Sequence, residues 1–281
     1  MKLVFFPAGR GSLKVSLCAL ASIVLCLAGC DKIKSYREAA RTRRSSKDRT
    51  AAAHPSRNSA SASPKLAIIL DDVGSDPAVV DQLFALHYPL TLSVLPLHPH
   101  STAIAEEAHR RGYQVMLHLP MEAIGNEVSE PAQLRVGMTS PQISDDLGGM
   151  LGSVPHAVGV NNHQGSLATS NPALMSALMP LLRQRHLFFI DSRTTAATVA
   201  FDAAERDGVP GAFRNVPFLD DVQEVGAIRR QLELAMRGAK EKGEAIAIGH
   251  PHPETLQVLR EMLPQIQAQG VQLVHASALV H

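Results

Sequence analysis

Seven side chains able to do acid–base or metal chemistry each stand just after a short apolar run. Asp71 and Asp72 follow Leu66 to Leu70, His118 follows Tyr113 to Leu117, and His163 follows Ala157 to Val160 and two asparagines. Asp191 follows Leu187 to Ile190, Asp220 follows Phe213 to Leu219, and His250 follows Ala245 to Ile248 and a glycine. One such residue is ordinarily a turn or a helix cap, but six apolar runs that end this way point to a shared site. A carboxylate with two imidazoles is a common ligand set for Zn²⁺ and similar divalent ions, with a position left for water. Such an ion acidifies the water and polarises a carbonyl oxygen. A second carboxylate can then take a proton and a histidine can give one to a leaving group. Asp71 and Asp72 are adjacent, and in an extended strand their side chains point to opposite sides. One is thus expected to bind metal and the other to move a proton. A His-Glu-x-x-His helix and a Gly-x-Ser-x-Gly elbow are both absent, which disfavours a zincin protease and a serine hydrolase.

The elements that must position these groups alternate. Apolar runs at 66–70, 90–95, 113–117, 157–160, 187–190, 213–219, 245–248 and 271–274 read as strands. Between them lie helical stretches: Asp76-Pro77 to about Leu86, a stretch through Ile104 to Ala108, Ser140-Pro141 to about Leu151, one from Asn171-Pro172, 222–242, and Pro253 to about Ala268. Asp-Pro, Ser-Pro and Asn-Pro pairs supply a cap and a first-turn proline. Pro180 is expected to kink the helix that contains it. Seven or eight βα units in series predict an α/β fold, a distorted (β/α) barrel of seven to eight parallel strands. In such a fold the strand C-terminal ends gather on one face, where active sites are built. No Gly-x-Gly-x-x-Gly follows the first strand, so a nucleotide-binding fold loses support.

The charge is unevenly spread. The chain of 281 residues holds 27 Lys and Arg against 26 Asp and Glu, a net +1. Residues 1–64 hold 12 of the bases and three acids, which leaves the body, 65–281, with 15 bases and 23 acids. So acidic a body is a poor candidate for nucleic acid, which needs clustered cations. The absence of Trp argues against a surface built on aromatic stacking.

The N-terminus reads as an export signal over 1–29. Lys2, Arg10 and Lys14 precede an apolar stretch from Val15 to Ala28, too short for an ordinary membrane span. Leu27-Ala28-Gly29-Cys30 resembles the lipobox of bacterial lipoproteins, with Cys30 as the lipidated first residue. Cys18 and Cys26 would leave with the signal, so no internal disulfide is expected. Asp31 resembles the aspartate that favours retention at the inner membrane, with the body facing the periplasm. Residues 30–64, rich in Ala, Ser, Arg and Lys, read as a basic disordered tether. Its charge should hold it near anionic headgroups.

The motifs resemble those of the divergent polysaccharide deacetylase family, relatives of metal-dependent polysaccharide deacetylases. They are Ile68-Ile-Leu-Asp-Asp-Val-Gly74, His118-Leu-Pro-Met121, Val158-Gly-Val-Asn-Asn-His163 with Gly165-Ser166, Phe189-Ile-Asp-Ser192, Phe218-Leu-Asp-Asp221 and Ala247-Ile-Gly-His-Pro-His-Pro253. The resemblance covers about 65–281 and implies a distorted βα barrel that removes N- or O-acetyl groups from carbohydrate. It implies Asp71 as general base, Asp72 with His118 and His163 as ligands of a divalent metal, most naturally Zn, and His250 as the acid for the leaving group. Asp191 and Arg193 are implied partners that orient a ligand or the base. Asn162, Glu122 and Gln164 are expected beside the metal or the substrate. In ordinary deacetylases the two metal histidines share one His-x-x-x-His segment, whereas here they come from two strands. Gln164 stands where the family commonly has methionine, and Ala123 where it has proline.

Taken singly, these residues also have structural readings: Asp71 a turn cap, His118 a satisfied core histidine, Asp191 a loop cap, Asp220-Asp221 a cap for 222–242, and His252 part of the following helix start. His98 and the other scattered histidines read as surface. The loop 122–139 reads as a wall or lid of the cleft. Two functions follow. One is a deacetylase acting on an envelope or exported polysaccharide. The other is a catalytically inactive carbohydrate-binding or scaffold lipoprotein on the same barrel. Retention of both the proton-transfer groups and the ligands favours the enzyme. Nothing in the pattern fixes an oligomeric state.

Overall fold

The computed structural model describes residues 63–125, 130 and 132–281. The expected signal, Cys30 and the tether up to residue 62 lie outside the described residues. No helix among the described residues is long and apolar enough to cross a membrane.

Strands and helices alternate along the chain. They run β1 (Lys65–Val73), α1 (Pro77–Phe84), β2 (Thr91–Val94), α2 (Ser101–Arg110), β3 (Gln114–Met121), α3 (Ser140–Ser153), β4 (Ala157–Gln164) and α4 (Pro172–Gln184). Then come β5 (Phe188–Asp191), α5 (Ala200–Arg206), β6 (Gly211–Phe213), α6 (Val225–Lys242), β7 (Glu244–Gly249), α7 (Pro253–Ala268) and β8 (Gln272–Val274). The helix starts follow local chemistry. Asp76 accepts from the Ala78 amide at 2.8 Å, and Asn171 from the Leu174 amide at 2.9 Å. Thr139 and Gln142 form a capping box. Gly243, at φ 92°, closes α6 in the left-handed conformation that glycine adopts without strain. Pro180 lies inside α4, which continues past it as one helix.

Every pairing between strands is parallel, in the order β6-β5-β4-β3-β2-β1-β7. β7 covers Lys65 to Leu70 along one edge of β1. β8, paired with Lys65 to Ala67, therefore shares the other edge with β2. The result is a nearly closed barrel of seven parallel strands with helices outside. At the seam between β6 and β7 the amides of Asn215 and Leu219 donate to the carbonyls of Ile246 and Ile248, at 3.0 and 2.8 Å.

This seam corrects one expected strand. The run 213–219 is not extended sheet; β6 ends at Phe213, and the segment after it crosses to β7 through isolated bonds. Pro217 lacks the N–H that a ladder needs. α5, which has no counterpart in the sequence pattern, fills the space before β6. A 3₁₀ turn, Ala276–Leu279, closes the end of the barrel where the strands begin: the Ala276 amide donates to Thr91 Oγ1 at 3.0 Å.

Two buried clusters show which way each strand residue faces. Ala67, Ile69, Met116, Phe188, Ile190, Ile246 and Ile248 pack together with Ala276 and Leu279, and these fill the barrel interior. Leu66, Ile68, Leu70, Leu117, Val160, Phe189 and Ala247 belong to the larger cluster under the helices. The two sets alternate with period two along each strand.

Candidate active site

Continuing the inward-facing set toward the strand ends gives Asp71 from β1, His118 from β3, Asn161 and His163 from β4, and His250 beyond β7. Asp72 breaks the alternation. Its φ is 57°, and the β1–β2 register shifts between Leu70 and Val73. Aspartate tolerates this left-handed region better than most residues. The turn brings the Asp72 carboxylate back over the barrel mouth. The two carboxylates, expected on opposite sides, instead converge on one imidazole: Asp72 Oδ1 lies 3.2 Å and Asp71 Oδ2 3.6 Å from His118 Nε2.

Asp72 Oδ1 is the centre of the constellation. It also lies 3.0 Å from His163 Nδ1, and the two ring nitrogens face each other at 3.1 Å. Neither approach to Oδ1 has hydrogen-bond geometry, so this buried oxygen has no hydrogen-bond partner. Burial opposes its charge, but the imidazoles of His118 and His163 outweigh that and hold Asp72 well below the usual carboxylate range. The tautomer of His118 follows from its neighbours. Asn161 Nδ2 donates to Asp71 Oδ1 at 2.8 Å, so Asn161 Oδ1 must accept from His118 Nδ1, 2.9 Å away. Ser93 Oγ donates to the same oxygen. With its Nδ1 proton committed to Asn161, His118 presents Nε2 to Asp72 and His163, and this is the nitrogen a cation would bind. One carboxylate oxygen and two imidazole nitrogens thus converge with an unmet electrostatic demand, which fits a divalent cation.

The proton-transfer groups flank this trio. Asp71 is 1% exposed. Burial raises its pKa, and the neighbouring His118, His250 and Asn161 offset this only in part, which makes its carboxylate the more basic of the adjacent pair. His250 Nε2 reaches within 3.7 Å of Asp72 Oδ2, while its Nδ1 contacts Asp220 Oδ1 at 2.9 Å. Asp220 Oδ2 also accepts from the His250 amide at 2.6 Å and from Thr255 Oγ1 at 2.8 Å. Burial pulls the His250 imidazolium down, but the Asp220 hydrogen bond and the charges of Asp71, Asp220 and Asp72 raise it to about 9. Asp220 is therefore not the cap of the helix over 222–242. That helix begins at Val225 with Glu224 at its cap position, and Asp220 is the buried anchor of His250.

Other expected site residues divide. Asn162 and Gln164 line a cleft of about 330 Å³ that contains Asp71, Asp72, His118, His163 and His250, with Ser166, Thr194, Phe218 and Asp221 on its rim. Asn162 holds the cleft wall, accepting from the Ser192 amide at 2.9 Å and donating to the Gln164 carbonyl at 2.8 Å. Asp191 and Arg193 do not orient the ligands or the base. Asp191 shares the outward parity of Phe189, and its carboxylate accepts from the Arg193 amide and Thr198 Oγ1, both at 2.8 Å. The Arg193 guanidinium stacks over Phe213 at 3.8 Å. Glu122 is not a pocket group either: its Oε2 accepts from the Val136 amide at 2.8 Å and so pins the loop after β3. Asn161, Ser93 and Asp220 instead do the orienting. That loop does supply a wall through Glu130, whose Oε1 lies 3.7 Å from His163 Nε2 and whose Oε2 contacts His98 Nε2 at 3.0 Å. His98 is thus part of the loop's anchorage rather than a bare surface residue.

Comparison with known proteins gives the family and the fold of the chain. Residues 68–280 match the model of the family described as divergent polysaccharide deacetylase. An uncharacterized protein of Haemophilus influenzae is 38% identical over 213 residues, 76% of this chain and 75% of that one. The uncharacterized protein YibQ of Escherichia coli K12 is 40% identical over 217 residues, 77% of this chain and 67% of that one. Among solved structures, an uncharacterized protein from Agrobacterium tumefaciens C58 superposes with a TM-score of 0.73 at 22% identity, over 78% of this chain and 89% of that one. A mutant of a CE4-family pseudoenzyme with restored enzymatic activity gives a TM-score of 0.50 at 11% identity, over 78% of this chain and 68% of that one. Both structural likenesses speak to the fold.

Proposed function

The chain belongs to the divergent polysaccharide deacetylase family, and from that premise and the strand-end geometry we propose that it is a metal-dependent hydrolase that removes acetyl groups from an envelope or exported polysaccharide. The observation that carries the reading is the buried Oδ1 of Asp72, without a hydrogen-bond partner, facing His118 Nε2 and His163 Nδ1. These three residues would hold the ion, with zinc the best match to the donor set. When bound, the ion supplies an acidified water and a polarised acetyl carbonyl.

The chain's own groups do the rest. Asp71, made more basic by burial, accepts the proton of the attacking water. Asn161 holds the Asp71 carboxylate and the His118 ring in one hydrogen-bonded unit, so base and ligand keep their relative positions. His250, kept protonated at neutral pH by Asp220, gives its Nε2 proton to the departing sugar nitrogen or oxygen. The N-terminal pattern supports an exported lipoprotein held at the inner membrane through Cys30, with the barrel in the periplasm.

The test joins metal content to turnover. Purified protein should carry near one equivalent of zinc or a similar ion, lost in His118→Ala and in His163→Ala with the fold retained. The parent should release acetate from acetylated envelope glycans. Metal binding without acetate release from any acetylated glycan would favour the binding or scaffold reading. Failure to take up an ion even in excess would overturn the mechanism.

A further inference from the structure

The acid–base chemistry uses one of the two histidines in the run His250-Pro251-His252. The His252 amide donates to the His250 carbonyl at 2.8 Å, closing a γ-turn whose central φ is fixed by Pro251. The two rings accordingly lie 5.6 Å apart between centroids, with 37° between their planes. A ring nitrogen of each, with a carboxylate oxygen of Asp220, fall within 4.8 Å of one another. Both histidines are partly exposed, so an ion can reach them from solvent. His252 occupies the cap position of α7, yet its side chain makes no capping hydrogen bond. The helix start does not need the ring. Its hydrogen-bond partner is Gln223, 3.0 Å away on the exposed surface, an easily displaced contact.

We propose that Asp220, His250 and His252 form a second divalent-cation site, with no ligand in common with Asp72, His118 and His163, and that its occupation switches the enzyme off. One carboxylate and two imidazoles suit zinc-like ions. An ion held by Asp220 and His250 replaces the proton they share, which leaves to solvent. With the ion in place of the Nδ1 proton, the remaining Nε2–H belongs to an uncharged imidazole ring and is too weak an acid to protonate the leaving group at neutral pH. The inhibition rests on the deacetylase reading above; the binding does not.

Zinc binding to the full chain, followed by equilibrium dialysis with elemental analysis, separates the two. The parent should take up two ions, the second more weakly. His252→Ala should keep the first, weaken the second by about tenfold or more, retain acetate release at low zinc and lose inhibition by excess zinc. Asp72→Ala should lose the first ion and keep the second. The proposal is overturned if the parent saturates at one ion. It is also overturned if the second survives His252→Ala unchanged, or is lost instead in His156→Ala, where the rings of His109 and His156 stack with centroids 3.9 Å apart away from the cleft. Absence of acetate release from every substrate would strike the deacetylase reading, while the ion count would still decide the site.

Discussion

Asn161 Nδ2 donates to Asp71 Oδ1 at 2.8 Å, and the oxygen of the same amide accepts from His118 Nδ1 at 2.9 Å. One side chain thus couples the candidate base to a candidate ligand. Removing it leaves a buried carboxylate with less support and an imidazole free to adopt the other tautomer. Asn161→Ala should bind zinc about 10- to 100-fold more weakly, measured by competition with a chelating indicator. Unchanged affinity would mean that the amide does not set the His118 tautomer.

Asp71 and Asp72 should separate cleanly on mutation. Asp71→Asn keeps the size and the Asn161 contact but cannot take a proton. Zinc content should stay near the parent value while acetate release falls by about 10²- to 10⁴-fold. Asp72→Asn should lose the ion itself. If Asp71→Asn loses the metal and Asp72→Asn keeps it, the roles of the two carboxylates are exchanged, which their distances of 3.6 and 3.2 Å from His118 make a meaningful comparison.

The alternation of strands and helices, and the gathering of polar groups at strand ends, follow from apolar runs and caps that local chemistry dictates, so both were legible in the sequence. The inward set was legible as well: the parity that buries Ala67 and Ile69 carries Asp71 into the barrel, and that of Met116 carries His118. The same count places Asp191 outside with Phe189, where the structure finds it. Asp72 was not legible by this rule, because a single left-handed residue at φ 57° reverses its direction. Asn161 was missed as a working residue, and Asp220, although placed with the strand-end groups, also read as a helix cap. Asparagine before a turn and aspartate before a helix have strong local explanations, and only the tertiary contacts with Asp71 and His250 displace them. α5 escaped notice because its buried face is Ala200, Ala203 and Ala204, too small to mark a period.

Gly159 tests the packing beneath the site. A Cβ built there would lie 2.3 to 2.5 Å from the Phe188 ring, which fills the barrel interior next to β4. The ring is enclosed and has little room to retreat. Gly159→Ala should destabilise the protein by about 1–3 kcal/mol, read from urea unfolding, and a paired Phe188→Leu change should recover part of that loss. Neutral behaviour of the single variant would show that the barrel interior yields at this level.

His250 gives stability a definite pH dependence in the metal-free protein. Its pKa is raised to about 9 in the folded state by Asp220 and the nearby carboxylates, against about 6.5 for histidine in an unfolded chain. A raised pKa means that the folded state holds the proton more tightly. The contribution is therefore complete below about pH 6.5, fades as pH rises, and is gone above about 9. Allowing for solvent at the cleft mouth, it amounts to about 2 kcal/mol. Urea unfolding of the parent and of His250→Gln should thus differ more at pH 6 than at pH 9.5, by about that amount. Asp220→Asn should remove most of the difference, since the hydrogen bond at 2.9 Å supplies the main upward push. A gap between parent and His250→Gln that stays constant across this range would show that His250 is not held protonated by Asp220, and the assignment of His250 as the proton donor would fall with it.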